Sequence, residues 1–182
     1  MNIVEKDFLH ILKNYGHDVL VVHANKEERC QYVFPGGRSC YNSVTGSADR
    51  SCPSCYGLGY VTSIRKYRTR ERDLSINESR PTSRGSLSFG EIAIENKAYY
   101  FYKDVPIREQ DIIIEVKWEG EQPRYDGGDI YEVSHVDEHR YINGEVAYYK
   151  TTMKSQPVLK NIRGIQVVKK AKGRALYYLA EG

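Results

Sequence analysis

The chain has 182 residues, of which 40% are hydrophobic and 28% charged, and a formal net charge of +3. That is the composition of a globular protein able to bury a core, and it places the chain away from the disordered and membrane classes. No run of about eighteen apolar residues occurs, and the opening Met1 to Asp7 carries charges where an apolar stretch would be needed, so neither a membrane span nor a signal peptide nor a lipid anchor is read and synthesis inside a cell is expected.

Residues 3–15 place Ile3, Val4, Phe8, Leu9, Ile11, Leu12 and Tyr15 near the helical period, with Gly16 following as a stop signal; one amphipathic helix opens the chain. Residues 18–23, Asp-Val-Leu-Val-Val-His, are a β-branched run of strand type. From 24 to 65, Gly, Ser, Pro and Asn gather with all four cysteines while large aliphatic residues thin out. Such a stretch cannot build an apolar core and needs a metal ion or disulfides to hold its shape, which makes it a candidate insertion. Residues 73–87 are polar and aperiodic and read as a long loop of the kind that is usually functional or mobile.

From Ser88 onward short strands follow quickly, at 89–94, 98–102, 111–118, 130–135, 145–151, 165–168 and 174–179. Turn signals separate them, among them Asn96-Lys97, Asp126-Gly127-Gly128-Asp129 and Asn143-Gly144. Sixteen tyrosines against four phenylalanines and one tryptophan suit half-buried strand positions and equally suit surfaces that meet other proteins. The expected fold is mainly β: a small antiparallel barrel or sandwich with an N-terminal helix and an inserted four-cysteine subdomain. Its expected parts are 1–24 (helix and first strand), 25–65 (insertion), 66–155 (barrel with the loop 73–87) and 156–182 (basic extension and closing strand).

Cys30, Cys40, Cys52 and Cys55 carry the clearest chemistry. The two-residue gap in Cys52-Pro53-Ser54-Cys55 lets two sulfurs of one tight turn face one ion at tetrahedral angles. Gly57 and Gly59 can take positive φ and let the chain fold back to aim amides at the thiolates. Between Cys30 and Cys40, Pro35-Gly36-Gly37 is a turn that can bring those two together as a hairpin. A structural Zn2+ on four thiolates is the expected state, with Arg29, Arg38 and Arg50 near in sequence to offset its charge; disulfides and free thiols are the alternatives. A catalytic zinc is not expected, since four sulfurs leave no position for water. The octet Cys52-Pro53-Ser54-Cys55-Tyr56-Gly57-Leu58-Gly59 also resembles one of the Cys-x-x-Cys-x-Gly-x-Gly zinc repeats of DnaJ-type cochaperones, over those residues alone.

No P-loop, dinucleotide fingerprint, nucleophile elbow or His-Glu-x-x-His is present, and the five histidines are scattered. His135 and His139 sit four apart in what reads as a strand end and turn, so they need not share a face. Nothing anchors an enzyme reading, and none is expected.

Charge is unevenly spread. Between Asp104 and Arg140 eleven acidic residues face four basic ones, whereas 156–174 holds Lys160, Arg163, Lys169, Lys170, Lys172 and Arg174 and no acid. Such complementary ends can stack copies head to tail and make the basic end a candidate inter-subunit surface, although a plain solvated surface has the same composition. A second basic group, Arg65, Lys66, Arg68, Arg70 and Arg72 with Arg80 and Arg84 beyond, can meet phosphates by nonspecific attraction or simply be solvated strand and loop charge.

Three runs decide the functional expectation: Gln110-Asp111-Ile112-Ile113-Ile114-Glu115-Val116-Lys117-Trp118, Gly128-Asp129-Ile130-Tyr131-Glu132-Val133-Ser134-His135-Val136, and Asn143-Gly144-Glu145-Val146-Ala147-Tyr148-Tyr149-Lys150. Together they resemble the small β-barrel of tailed-bacteriophage head completion proteins, the head-tail connectors or stoppers of the neck. The opening, a Phe8-Leu9 helix leading into Tyr15-Gly16-His17-Asp18-Val19-Leu20-Val21, is similar too. The resemblance implies a non-enzymatic subunit of the virion neck, assembled in the host cytoplasm and away from any membrane. Its implied partners are copies of itself in a ring, a portal or adaptor protein, a tail terminator or other tail and neck proteins, and packaged double-stranded DNA in the channel, toward which the loop 73–87 would project. The cysteine insertion departs from the family's minimal form. A zinc-knuckle nucleic-acid-binding or regulatory protein is the alternative.

Overall fold

The computed structural model describes residues 3–73, 97–155, 159, 162–171 and 174–181. Among the described residues one helix, α1 (Ile3–Tyr15), precedes twelve strands. The first five are β1 (His17–Arg29), β2 (Tyr41–Asn42), β3 (Ser47–Ala48), β4 (Tyr60–Asp73) and β5 (Lys97–Tyr102). Then come β6 (Ile112–Ile114), β7 (Lys117–Glu119), β8 (Gln122–Arg124), β9 (Ile130–Arg140), β10 (Val146–Ser155), β11 (Ile162–Ala171) and β12 (Arg174–Glu181). Six strands close a barrel in the order β1-β4-β5-β10-β9-β6, and β2-β3, β7-β8 and β11-β12 form separate two-stranded sheets. The mainly β barrel with one N-terminal helix and a cysteine subdomain is therefore as the sequence implies. Among the described residues no helix is long and apolar enough to cross a membrane.

Contacts divide the chain into two units, the first made of Met1–Val19, Tyr67–Gln110 and Tyr131–Ser155, the second of Leu20–Lys66, Asp111–Ile130 and Gln156–Gly182. In the first, β5 pairs with β4 (Thr69 opposite Phe101) and with β10 (Tyr149 opposite Phe101). Tyr99, Phe101, Val133 and Met153 are fully buried, and Tyr99 and Phe101, two apart on β5, point to the same side of the strand. Thr69 and Thr151 are buried as well, and each hydroxyl donates to a main-chain carbonyl, of Tyr100 and Tyr99 respectively. Helix α1 is fastened by the Phe8 ring stacked on Tyr148 with centroids 4.7 Å apart, and by Glu5, which meets the Tyr102 hydroxyl and pairs with Lys103 at 2.9 Å. Gly16 follows the helix at a point where space is short. A Cβ at this position would lie 2.4 Å from the Leu12 carbonyl oxygen and 2.8 Å from that of Thr69.

In the second unit β1 pairs with β6, Leu20 opposite Ile114 and Val22 opposite Ile112. Leu20, Val22, Ile112 and Ile114 form a core with Ile64, Ile130 and Leu159, and with Tyr177 and Leu179 of β12.

Several elements differ from the sequence reading. The run 111–118 is two strands, β6 and β7, and β7 turns through Gly120 (φ +66) into β8. Strand β4 is fourteen residues long and begins at Tyr60, within 25–65, and β1 runs on to Arg29. The last two strands do not close the barrel; β1 and β6 do, while β11 and β12 pair only with each other as a ribbon, Ile165 opposite Leu179 and Val167 opposite Tyr177. The expected strand 89–94 and nearly all of the loop 73–87 lie outside the described residues.

Candidate metal centre

The Cys30–Cys40 half of the module is the hairpin its turn residues imply. Gly36 and Gly37 both take positive φ (+99 and +83), Gly37 donates to the Phe34 carbonyl at 3.0 Å, and the Cys40 amide donates to Tyr32 at 2.8 Å. The other half is a tight turn in which Tyr56 donates to the Cys52 carbonyl and Leu58 to that of Cys55, both at 2.9 Å. Gly57 and Gly59 have φ of +83 and +77, and the Gly59 amide points at Cys55 Sγ, 3.4 Å away. The two halves are joined by the Cys30 amide donating to Gly59 and the Asp49 amide donating to Cys40.

Four sulfurs are brought together by this folding. All four cysteines are buried, and their Sγ atoms lie within 4.8 Å of one another, with Cys30–Cys52 at 3.7 Å and Cys40–Cys55 at 3.4 Å. They pack with Tyr32, Phe34 and Ala48 in a small cluster of their own. Burial pushes the Cys40 thiol strongly upward, and the neighbouring thiols add to it. Burial also raises Cys55, to about 11, against the opposing Gly59 amide. At Cys30 burial pushes up as well, but hydrogen bonds from the Tyr32 amide and the other thiols outweigh it and the net direction is down. A buried set of four sulfur donors with the Gly59 amide aimed at one of them, in which burial pushes the Cys40 and Cys55 thiols upward, is chemically suited to a metal cation whose charge would stabilise the thiolates. The arrangement is compatible with a metal site and does not by itself identify the metal.

Around the module, the Arg29 guanidinium lies over the Tyr41 and Tyr60 rings, 4.6 and 4.3 Å from their centroids, and Arg38 pairs with Asp49 at 2.7 Å. Arg50 is exposed.

The basic residues of β4 have tasks that spacing alone did not reveal. Strand periodicity sets Lys66, Arg68, Arg70 and Arg72 on one face. The Lys66 ammonium sits 3.9 Å from the centre of the Trp118 ring, and Arg70 lies over Tyr15 at 5.4 Å. Arg68 caps the helix end: Nε donates to Leu12 O at 2.7 Å, Nη2 to Lys13 O at 2.9 Å and to Gly16 O at 2.8 Å, and Nη1 pairs with Asp18 at 3.2 Å. Arg65 and Arg72 are exposed. Arg80, Arg84, Lys160 and Lys172 lie outside the described residues, while Arg163, Lys169, Lys170 and Arg174 lie on the β11–β12 ribbon. His135 and His139 are both on β9, His135 bonded to Glu109 and Asp137 and His139 stacked on Tyr148 at 4.5 Å.

Neither a protein-family description nor a curated protein matches the chain.

Proposed function

We propose that this chain is a non-enzymatic, ring-forming subunit of a tailed-bacteriophage neck, a head completion or connector protein that joins portal to tail and helps retain packaged DNA. The observation that carries the reading is that the three runs resembling neck proteins supply three neighbouring strands of one closed barrel, β6, β9 and β10. Resemblance spread over unrelated surface segments would carry no such weight. A closed barrel is a scaffold suited to a subunit that acts by position. The nucleic-acid-binding alternative gains less, because Lys66, Arg68 and Arg70 already engage Trp118, the helix end and Tyr15.

Within this reading the four cysteines hold one Zn2+ as a structural ion. Zinc–sulfur bonds of about 2.3 Å in a tetrahedron set sulfur–sulfur edges of about 3.8 Å, close to the separations of 3.7 Å between Cys30 and Cys52 and 3.4 Å between Cys40 and Cys55. With thiolates at all four positions the ion fixes the module and leaves no site for substrate.

The test is the mass of the purified zinc-loaded full chain, alone and with a portal ring, by native mass spectrometry and electron microscopy, with elemental analysis of the same sample. A ring or a portal complex, one zinc per chain, and weak salt-sensitive DNA contact are expected. A monomer that ignores the portal and binds DNA or RNA with steeply salt-dependent affinity would refute the neck role in favour of the alternative. A folded chain free of zinc would refute the metal assignment.

A further inference from the structure

A two-stranded sheet is marginal in water unless one face packs on something else. The β11–β12 ribbon packs through Tyr177 and Leu179 onto the core of the second unit, and one member of that core, Tyr56, comes from inside the cysteine module, directly after Cys55. The Tyr56 ring is buried, and its hydroxyl accepts the Leu179 amide at 3.3 Å, a bond across 123 residues of chain. A cavity of about 450 Å³ is lined by Pro53 and Ser54 of the cysteine turn, Thr62 and Ile64 of β4, and Tyr177 and Tyr178 of β12. The turn and the ribbon thus share a hydrogen bond, a core and a cavity.

Tyr56 is also held in a conformation that a side-chain-bearing residue seldom adopts, with φ of +54. Such a residue keeps a left-handed backbone only where its surroundings over-determine it. Here the surroundings are the cysteine turn itself, through the Tyr56, Leu58 and Gly59 amides directed at Cys52 and Cys55. These bonds and the positive φ of Gly57 and Gly59 shape the turn, and an ion that ties Cys52 and Cys55 to Cys30 and Cys40 would lock it against the rest of the module and with it the aim of the ring.

We infer that metal binding at the four cysteines is what seats the C-terminal ribbon: the ion fixes the turn, the turn fixes Tyr56, and Tyr56 holds β12. Loss of the metal then releases β11–β12, together with the basic residues it carries, while the β5–β10 pairing persists. The inference rests on metal occupancy of the cysteines and stands apart from the ring-forming role. If that role also holds, metal loss weakens assembly without unfolding the subunit.

Hydrogen exchange read by mass spectrometry on the zinc-loaded full chain tests this, before and after metal removal by a chelator and in zinc-bound Tyr56→Ala and Tyr56→Phe, with zinc content measured on every sample. Expected is roughly tenfold or greater acceleration in 162–171 and 174–181 for the metal-free protein and for Tyr56→Ala, with 97–102 and 146–155 changed less than about twofold. Tyr56→Phe, which keeps the ring and loses the hydroxyl, should move the ribbon less. Unchanged ribbon protection after verified zinc loss overturns the inference. So does full protection in zinc-bound Tyr56→Ala, or a loss of protection spread evenly over β5 and β10. If Tyr56→Ala fails to fold, the chelation arm decides by itself. A chain that takes up no zinc at all fails at the elemental analysis, which separates that result from a failure of the coupling.

Discussion

Replacing Arg68 with Ala removes a guanidinium from the end of α1, and its cost can be worked bond by bond. The Nε bond to Leu12 O, at 2.7 Å and partly buried, is charge-assisted and contributes about 1.5–3 kcal/mol. The bonds to Lys13 and Gly16 and the pair with Asp18 are solvent-exposed, so screening reduces them together to about 1 kcal/mol. A loss of about 2.5–4 kcal/mol follows, which at about 2–4 °C per kcal/mol for a chain of this size lowers Tm by about 5–16 °C. Circular dichroism melts and urea titrations of the Arg68→Ala chain measure it. Arg68→Lys keeps the charge but not the fork that reaches three carbonyls, and should recover less than half of the loss. A change below about 0.5 kcal/mol would refute the capping argument, since that is what an ordinary surface substitution costs. The variant also discriminates between roles, because an Arg68 that served only to meet phosphate would leave Tm in place and weaken DNA contact instead.

Gly16→Ala forces a Cβ against two main-chain carbonyls and should destabilise by about 1–3 kcal/mol in urea unfolding, with wild-type stability refuting the close approach. Burial holds the His17 imidazole below its ordinary value of 6.5, outweighing the pull of Glu71 and Asp18. The unfolded chain therefore binds the proton more readily, and the His17 contribution is intact above 6.5 and falls as pH drops from there toward the folded value. His17→Gln should flatten that part of the stability profile, and an equally steep fall in the variant would refute the assignment. Reversing Lys169, Lys170 and Arg174 to Glu should weaken assembly more at low salt than at high, as measured by sedimentation, and salt-independent assembly would count against an electrostatic contact.

What could be read from the sequence was what local pattern determines. The helix over 3–15 shows in its periodicity, and the cysteine cluster shows because a two-residue gap followed by Gly57 and Gly59 admits few backbone paths. Strand β4 was hidden because its outward positions are Lys66, Arg68, Arg70 and Arg72, which look like a solvated charge run until Trp118, α1 and Tyr15 are seen against three of them. The break at 115–116 depends on a distant partner: the Glu115 amide donates to Asp129, and Gly128 packs so closely that a Cβ there would sit 2.8 Å from the Glu115 carbonyl. Strands β11 and β12 have the same alternation whether they close a barrel or pair alone, so the choice lies in tertiary contacts that spacing does not encode. The Tyr56–Leu179 bond was unreadable for the same reason.

Every strand of the barrel has a hydrogen-bonded neighbour on either side. Where those strands pair, the main-chain donors and acceptors are used within the molecule and are not offered to another polypeptide. Among the described residues, lateral recruitment by backbone pairing falls to the two-stranded sheets, of which β11–β12 is by far the longest. Association through the paired stretches of the barrel would instead use side-chain surfaces, a mode that single substitutions can tune.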